Sequence, residues 1–119
     1  MQYLLLIYSD EKAMTDTPKE AMDAVMDEYT AYTEDMRKSG TMRAGDALHP
    51  TSSATTVRVQ NGKTVTTHGP FAETKEQLGG YYLVDCKNLD EAIEWAAKCP
   101  GARAGSIEVR PVVDFSQPM

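Results

Sequence analysis

Two short segments, Tyr3-Leu4-Leu5-Leu6-Ile7-Tyr8 and Tyr81-Tyr82-Leu83-Val84, are apolar at every consecutive position. A strand with one wet face alternates apolar and polar residues. A run without alternation predicts a strand that carries apolar side chains on both faces. Such a strand belongs at the centre of a sheet, with something laid over each side.

The chain supplies cover for one side. Thr17-Pro18-Lys19-Glu20 reads as a capping box with proline at the first helical position. Met22, Val25, Tyr29, Tyr32 and Met36 follow as one apolar stripe, and Arg37-Lys38 and Ser39-Gly40 close this long helix. Asn88 caps a second helix with a stripe of Leu89, Ala92, Ile93, Ala96 and Ala97, ended by Cys99-Pro100-Gly101. Trp95 falls off that stripe, which points it under a loop or to a subunit edge. Ser9 to Thr17 reads as a polar loop.

The remaining strands are shorter. Thr41 to Leu48 reads as an extended segment, and Ser106 to Val113 as the last strand. Ala54–Gln60 and Lys63–His68 flank Asn61-Gly62, a strong two-residue hairpin signal that pairs Gln60 with Lys63, Arg58 with Val65 and Thr55 with His68. Neither face of this hairpin is strongly apolar, which makes it peripheral. The order β-α-(β)-β-β-β-α-β predicts an α+β ferredoxin-like β-α-β-β-α-β sandwich with an extra β-hairpin, in one domain spanning 1–119 with a frayed tail at 114–119. Two helices cover one sheet face. The other face is expected to meet the same face of a second copy, giving a homodimer.

The net charge of −6 arises from 18 acids against 12 bases, with 10 of the acids in residues 1–50. No Lys/Arg run breaks this acidity, so nucleic acid and anionic membranes are not expected partners. Cys86 and Cys99 have no CxxC neighbour and read as buried thiols. No signal segment or membrane span is recognisable, so the expected location is cytoplasmic.

Gly69-Pro70-Phe71-Ala72-Glu73-Thr74-Lys75-Glu76-Gln77-Leu78-Gly79-Gly80 is longer and more polar than a connection between two strands requires. Long connections in compact domains are commonly functional. Phe71 and Leu78 are expected to anchor it.

This loop resembles the signature of the YCII-related family, specifically its DGPF subgroup. Further matching pieces are Tyr3 to Tyr8, Ala44-Gly45-Asp46-Ala47-Leu48, Ala54-Thr55-Thr56-Val57-Arg58, Glu91-Ala92-Ile93-Glu94-Trp95-Ala96 and Ser106-Ile107-Glu108-Val109-Arg110-Pro111. The resemblance implies a ferredoxin-like fold assembled as a dimeric α/β barrel. It implies less about chemistry: relatives are proposed as enzymes on a His-Asp pair in a cleft, and subgroup members often accompany bacterial sigma factors. Here the aspartate that opens the motif is replaced by His68, and the first helix lacks the histidine of some relatives.

Among candidate residues, Asp46 is either a cleft carboxylate or a turn-forming aspartate. His68 suits a general base, since imidazoles titrate near neutral pH, but the favoured reading is an exposed strand-end histidine. Asp46 and His68 are the candidate catalytic pair. Tyr8, Arg58, Phe71, Glu73, Lys75 and Arg110 are candidate ligand-binding residues, with an arginine fork suited to a carboxylate. A salt bridge to Glu108 is the competing reading of Arg110. His49, His68 and Asp46 have the donor types of a divalent metal site but no ligand spacing, so no metal is assigned. No dinucleotide, phosphate-loop or nucleophile-elbow motif occurs, and no cofactor is implied. Two functions fit: an enzyme doing acid–base chemistry on a small organic molecule in a barrel cavity, or a non-catalytic small-ligand or partner-binding module in a bacterial regulatory circuit.

Overall fold

The computed structural model describes residues 1–116. Six strands, β1 (Gln2–Ser9), β2 (Met42–Ala47), β3 (Thr55–Gln60), β4 (Lys63–His68), β5 (Gln77–Asp85) and β6 (Ser106–Pro111), alternate with helices α1 (Glu11–Thr15), α2 (Lys19–Lys38) and α3 (Leu89–Lys98). The main sheet is antiparallel with order β2-β5-β1-β6, while β3 and β4 form a separate two-stranded ribbon. This is the ferredoxin-like α+β arrangement, and the two apolar runs are its central strands β1 and β5.

Alternation divides each central strand between two faces. Tyr3, Leu5 and Ile7 of β1 and Tyr82 and Val84 of β5 are buried with Tyr32 and Met36 of α2 and Ala92 and Ala96 of α3. Leu4, Leu6, Tyr81 and Leu83 stand on the opposite face, which no helix covers, and are only half-buried. The α2 stripe is therefore the one the periodicity predicts. The α3 stripe is narrower: Leu89 and Ile93 are exposed, and the two alanines let the helix approach the sheet.

Several local expectations are corrected. Asp10 caps the short helix α1, accepting from the backbone N–H groups of Lys12 and Ala13, where the sequence suggests only a loop. The Thr17 capping box does not form. Its hydroxyl donates instead to the carbonyl of Ala13 at 2.7 Å, because α1 ends immediately before it, and the residue preceding α2 is Pro18. Trp95 packs inside the protomer, edge-on to Tyr32 with centroids 6.0 Å apart and with the Lys98 ammonium 5.1 Å over its ring. Phe71 is 80 % exposed and anchors nothing within the protomer. Of the tail expected to fray, residues 117–119 lie outside the described residues.

The hairpin register is the one expected from Asn61-Gly62: both residues adopt positive φ, at 52° and 77°, and Thr55 pairs with His68. Mirror-image turns of this kind require left-handed backbone at both central positions.

Candidate functional site

Antiparallel pairing sets polar groups in rows across the uncovered sheet face. Asp46 of β2 lies opposite Tyr81 of β5, which lies opposite Leu6 of β1, which lies opposite Glu108 of β6. On one side of this row Leu4 pairs with Leu83 and Arg110. On the other Tyr8 pairs with Ser106. Three polar pairs result. The Tyr81 hydroxyl donates to Asp46 Oδ2 at 2.7 Å, the Ser106 hydroxyl donates to Glu76 Oε1 at 2.7 Å, and Arg110 Nε meets Glu108 Oε1 at 3.2 Å. The hydrogen bond to Asp46, and then the charge of that carboxylate, raise the Tyr81 phenol above its ordinary value. Tyr81 thus stays a neutral donor, and Asp46 is held by a hydroxyl and not by a cation.

On the helix side of the same strands lies a groove of about 480 Å³, within the range of small-molecule sites. Ile7, Gly45, Gly80 and Tyr82 form its floor, α2 forms a wall with Met26, Tyr29, Thr33 and Arg37, and Met14 of α1 stands among its lining. Asp46, Ala47 and Tyr81 belong to the same lining, so the groove opens beside the edge strand β2. Asp46 and Tyr81 reach this lining from the β2 edge, while their hydrogen-bonded side chains stand on the uncovered face. The glycines make this space: a Cβ at Gly45 would lie 2.7 Å from the Tyr82 ring, and one at Gly80 3.0 Å from the Asp46 carbonyl. Thr33 and Tyr82 hydroxyls pair at 2.7 Å, and burial raises the Tyr82 phenol, so this pair is neutral and polar in an otherwise apolar lining. Arg37 lines the groove and makes no ion pair among the described residues.

The predicted residues fall into three places. Tyr8, Asp46 and Arg110 share the uncovered sheet face, with Arg110 engaged by Glu108. Arg58 and His68 are exposed on the β3–β4 hairpin, and neither lines the groove. Phe71, Glu73 and Lys75 are exposed in the loop before β5. His49 is exposed, and among the described residues no three His, Cys, Asp or Glu side chains gather as a metal site. Sequence reasoning missed Tyr81, Arg37 and Thr33. The signal for the latter two was present in helical spacing: they stand four apart on α2, beside the buried stripe and not on it.

Fold and site define a ferredoxin-like α+β protomer of the type from which dimeric α/β barrels are built, with one sheet face open. The model of the YCII-related domain matches residues 1–116, and the chain belongs to the YCII-related family. An uncharacterized protein of Rhizobium meliloti (strain 1021) is 41 % identical over 114 residues, covering 94 % of this chain and 92 % of that protein. Among solved structures, 5-chloro-2-hydroxyhydroquinone dehydrochlorinase (TftG) from Burkholderia phenoliruptrix AC1100, in complex with 2,5-dihydroxybenzoquinone, has the same fold. It superposes with a TM-score of 0.50 at 12 % identity, over 98 % of this chain and 97 % of that one.

Proposed function

We propose that this chain is an enzyme that performs acid–base chemistry on a small organic molecule bound at the groove beside β2, with Asp46 as the base and Tyr81 as the hydroxyl that orients it. The observation that carries this reading is the 2.7 Å Asp46–Tyr81 pair on the open sheet face, at the β2 edge of residues that line a cavity of about 480 Å³. A carboxylate that accepts from one hydroxyl has further acceptor lone pairs for a substrate proton. The apolar floor suits a largely hydrocarbon or aromatic body, and Arg37 offers an unpaired cation for an acidic substituent. The Burkholderia relative by fold is a dehydrochlorinase, so the scaffold admits an active site. We also infer a homodimer through the uncovered sheet faces, since Leu4, Leu6 and Leu83 are left half-covered.

The second reading is a ligand- or partner-binding module without turnover. It is favoured by the placement of His68 and Arg58 on an exposed hairpin, away from the groove. A thermal-shift screen of small organic acids and phenols separates the two, because a ligand of the native state raises the melting temperature. Each hit is then incubated with the wild type, Asp46→Asn and Tyr81→Phe, and followed by mass spectrometry. Turnover that falls by about 10²–10⁴-fold in Asp46→Asn while binding persists supports the enzyme. Binding without turnover in the wild type supports the module, and equal turnover in Asp46→Asn removes Asp46 from the chemistry.

A further inference from the structure

The α2 wall of the groove is sorted along its length. Met26, Tyr29 and Thr30 line its first part and Thr33, Glu34 and Arg37 its last, over roughly 16 Å of helix. The first part is apolar and wet: Met26 is 57 % exposed, and Met14, in the same lining, 44 %. The last part is polar and not paired with itself. Glu34 and Arg37 stand one turn apart, where opposite charges on a helix ordinarily meet, yet neither forms an ion pair among the described residues. Thr33 and Tyr82 share one hydrogen bond between two hydroxyls, so one O–H of the pair is left without an acceptor among the described residues. Burial raises the Tyr82 phenol and the Arg37 charge works against that rise, which sets the guanidinium near this hydroxyl pair.

The charges left to the groove therefore balance. They are one anion and one cation, both from α2, since the Asp46 carboxylate is bonded to Tyr81 on the uncovered face. A ligand carrying only an acid would bring its charge beside Glu34, and one carrying only an amine would meet Arg37. A molecule bearing one of each on neighbouring atoms matches both. We propose that the groove takes a zwitterion with an apolar body, an α-amino acid with an aromatic or large aliphatic side chain. Its carboxylate lies on Arg37 and accepts the spare hydroxyl of the Thr33–Tyr82 pair, its ammonium donates to Glu34, and its side chain lies over Ile7 and Tyr29 toward Met14 and Met26. Thioethers adapt to varied shapes and make favourable contacts with aromatic rings, so phenylalanine and leucine both belong to the class. This rests on the groove being the ligand site proposed above and gives that site its substrate class; it does not rest on Asp46 as the base.

Isothermal titration calorimetry with three probes of one shape tests it: L-phenylalanine, 3-phenylpropionate, which lacks the ammonium, and 2-phenylethylamine, which lacks the carboxylate. L-Phenylalanine is expected to bind about tenfold tighter than either, the effect of one charge-assisted hydrogen bond. Glu34→Gln should remove its preference over 3-phenylpropionate and keep that over 2-phenylethylamine, and Arg37→Gln should do the reverse. Both positions are exposed on a helix and glutamine suits helices, so an unchanged melting temperature checks that the fold is kept. Asp46→Asn should bind L-phenylalanine as the wild type does, which separates this site from the chemistry. If the probe preferences hold while turnover is absent or equal in Asp46→Asn, the base assignment fails and the zwitterion site stands. If 3-phenylpropionate binds as tightly as L-phenylalanine and Glu34→Gln has no effect, the zwitterion fails and a groove for organic acids stands. Failure of both L-phenylalanine and L-leucine to bind at about 10 mM overturns the proposal. So does binding that Glu34→Gln and Arg37→Gln leave unchanged.

Discussion

Gly45→Ala tests whether the groove is shaped by one ring contact. A methyl group at this position would stand 2.7 Å from Cδ1 of Tyr82 and 3.1 Å from Cε1 of that ring and from Cε of Met42. Carbon atoms pack at roughly 3.5–4.0 Å, so the ring must retreat by about 0.8 Å. It is held from behind. Tyr32 meets it edge-on at 5.4 Å, and its hydroxyl is tied to Thr33 at 2.7 Å. Overpacking of this kind costs about 1–3 kcal/mol. Against it stands about 0.4–1 kcal/mol gained by restricting the unfolded chain, since the Gly45 backbone is not left-handed. The net expectation is a destabilisation of about 1–2 kcal/mol, or a melting temperature lower by about 3–8 °C. Urea unfolding followed by far-UV circular dichroism, in a cycle with Tyr82→Leu, isolates the cause. With leucine at 82 the ring is gone, and Gly45→Ala should become neutral or slightly stabilising, giving a coupling of about 1–3 kcal/mol. An equal cost in both backgrounds would refute the ring contact as the reason glycine is needed.

The thiols and one carboxylate give two further tests. Burial pushes Cys86 up to about 11 and raises Cys99 as well, so both should resist alkylation by iodoacetamide at pH 8 in native protein and react on unfolding; rapid native labelling would contradict their burial. Asp85 is held below the ordinary carboxylate range first by the Met1 ammonium at 3.0 Å and then by Arg43 at 3.2 Å. Its folded pKa is the lower one, so its contribution is present above about pH 4 and is lost as pH falls through the folded value. In a carboxyl NMR titration, Arg43→Ala should move the Asp85 midpoint up towards the ordinary range, and an unmoved midpoint would show that the pair does not form in solution.

What could be read from the sequence depended on how local each feature's cause was. The centrality of β1 and β5 follows from side chains within each run. The hairpin register follows from Asn61-Gly62, because only a mirror-image turn accommodates positive φ at both residues. The Asp46–Tyr81 bond was not legible, since it depends on the register between β2 and β5, strands separated by the entire hairpin and its loop. An irregularity between Met42 and Ala44 shifts that register further. The capping box at Thr17 failed for the opposite reason: a valid local pattern lost to a competing local bond, the one to Ala13 in a helix too short to show periodicity. Trp95 was misplaced because a helical wheel counts one helix at a time, while its site is completed by Tyr32 of α2.

The uncovered face of the sheet is built for covering, and its polar groups show where charge would remain afterwards. Buried polar groups are tolerated when they are partnered, and a buried ion needs a counter-ion. Glu108 and Arg110 cancel each other, so a second sheet laid over them encloses no net charge. Asp46 and Glu76 are different, because their partners on this face, the Tyr81 and Ser106 hydroxyls, are neutral. Each satisfies a hydrogen bond without neutralising a carboxylate. They stand at opposite margins, Asp46 on the edge strand β2 and Glu76 beside β6. Stability alone would favour a cation or an apolar residue at both positions. Of the two, only Asp46 also belongs to the lining of the groove. An uncompensated acceptor next to a space for a small molecule is what proton abstraction requires, which is why Asp46 and not the motif-derived His68 carries the proposed chemistry.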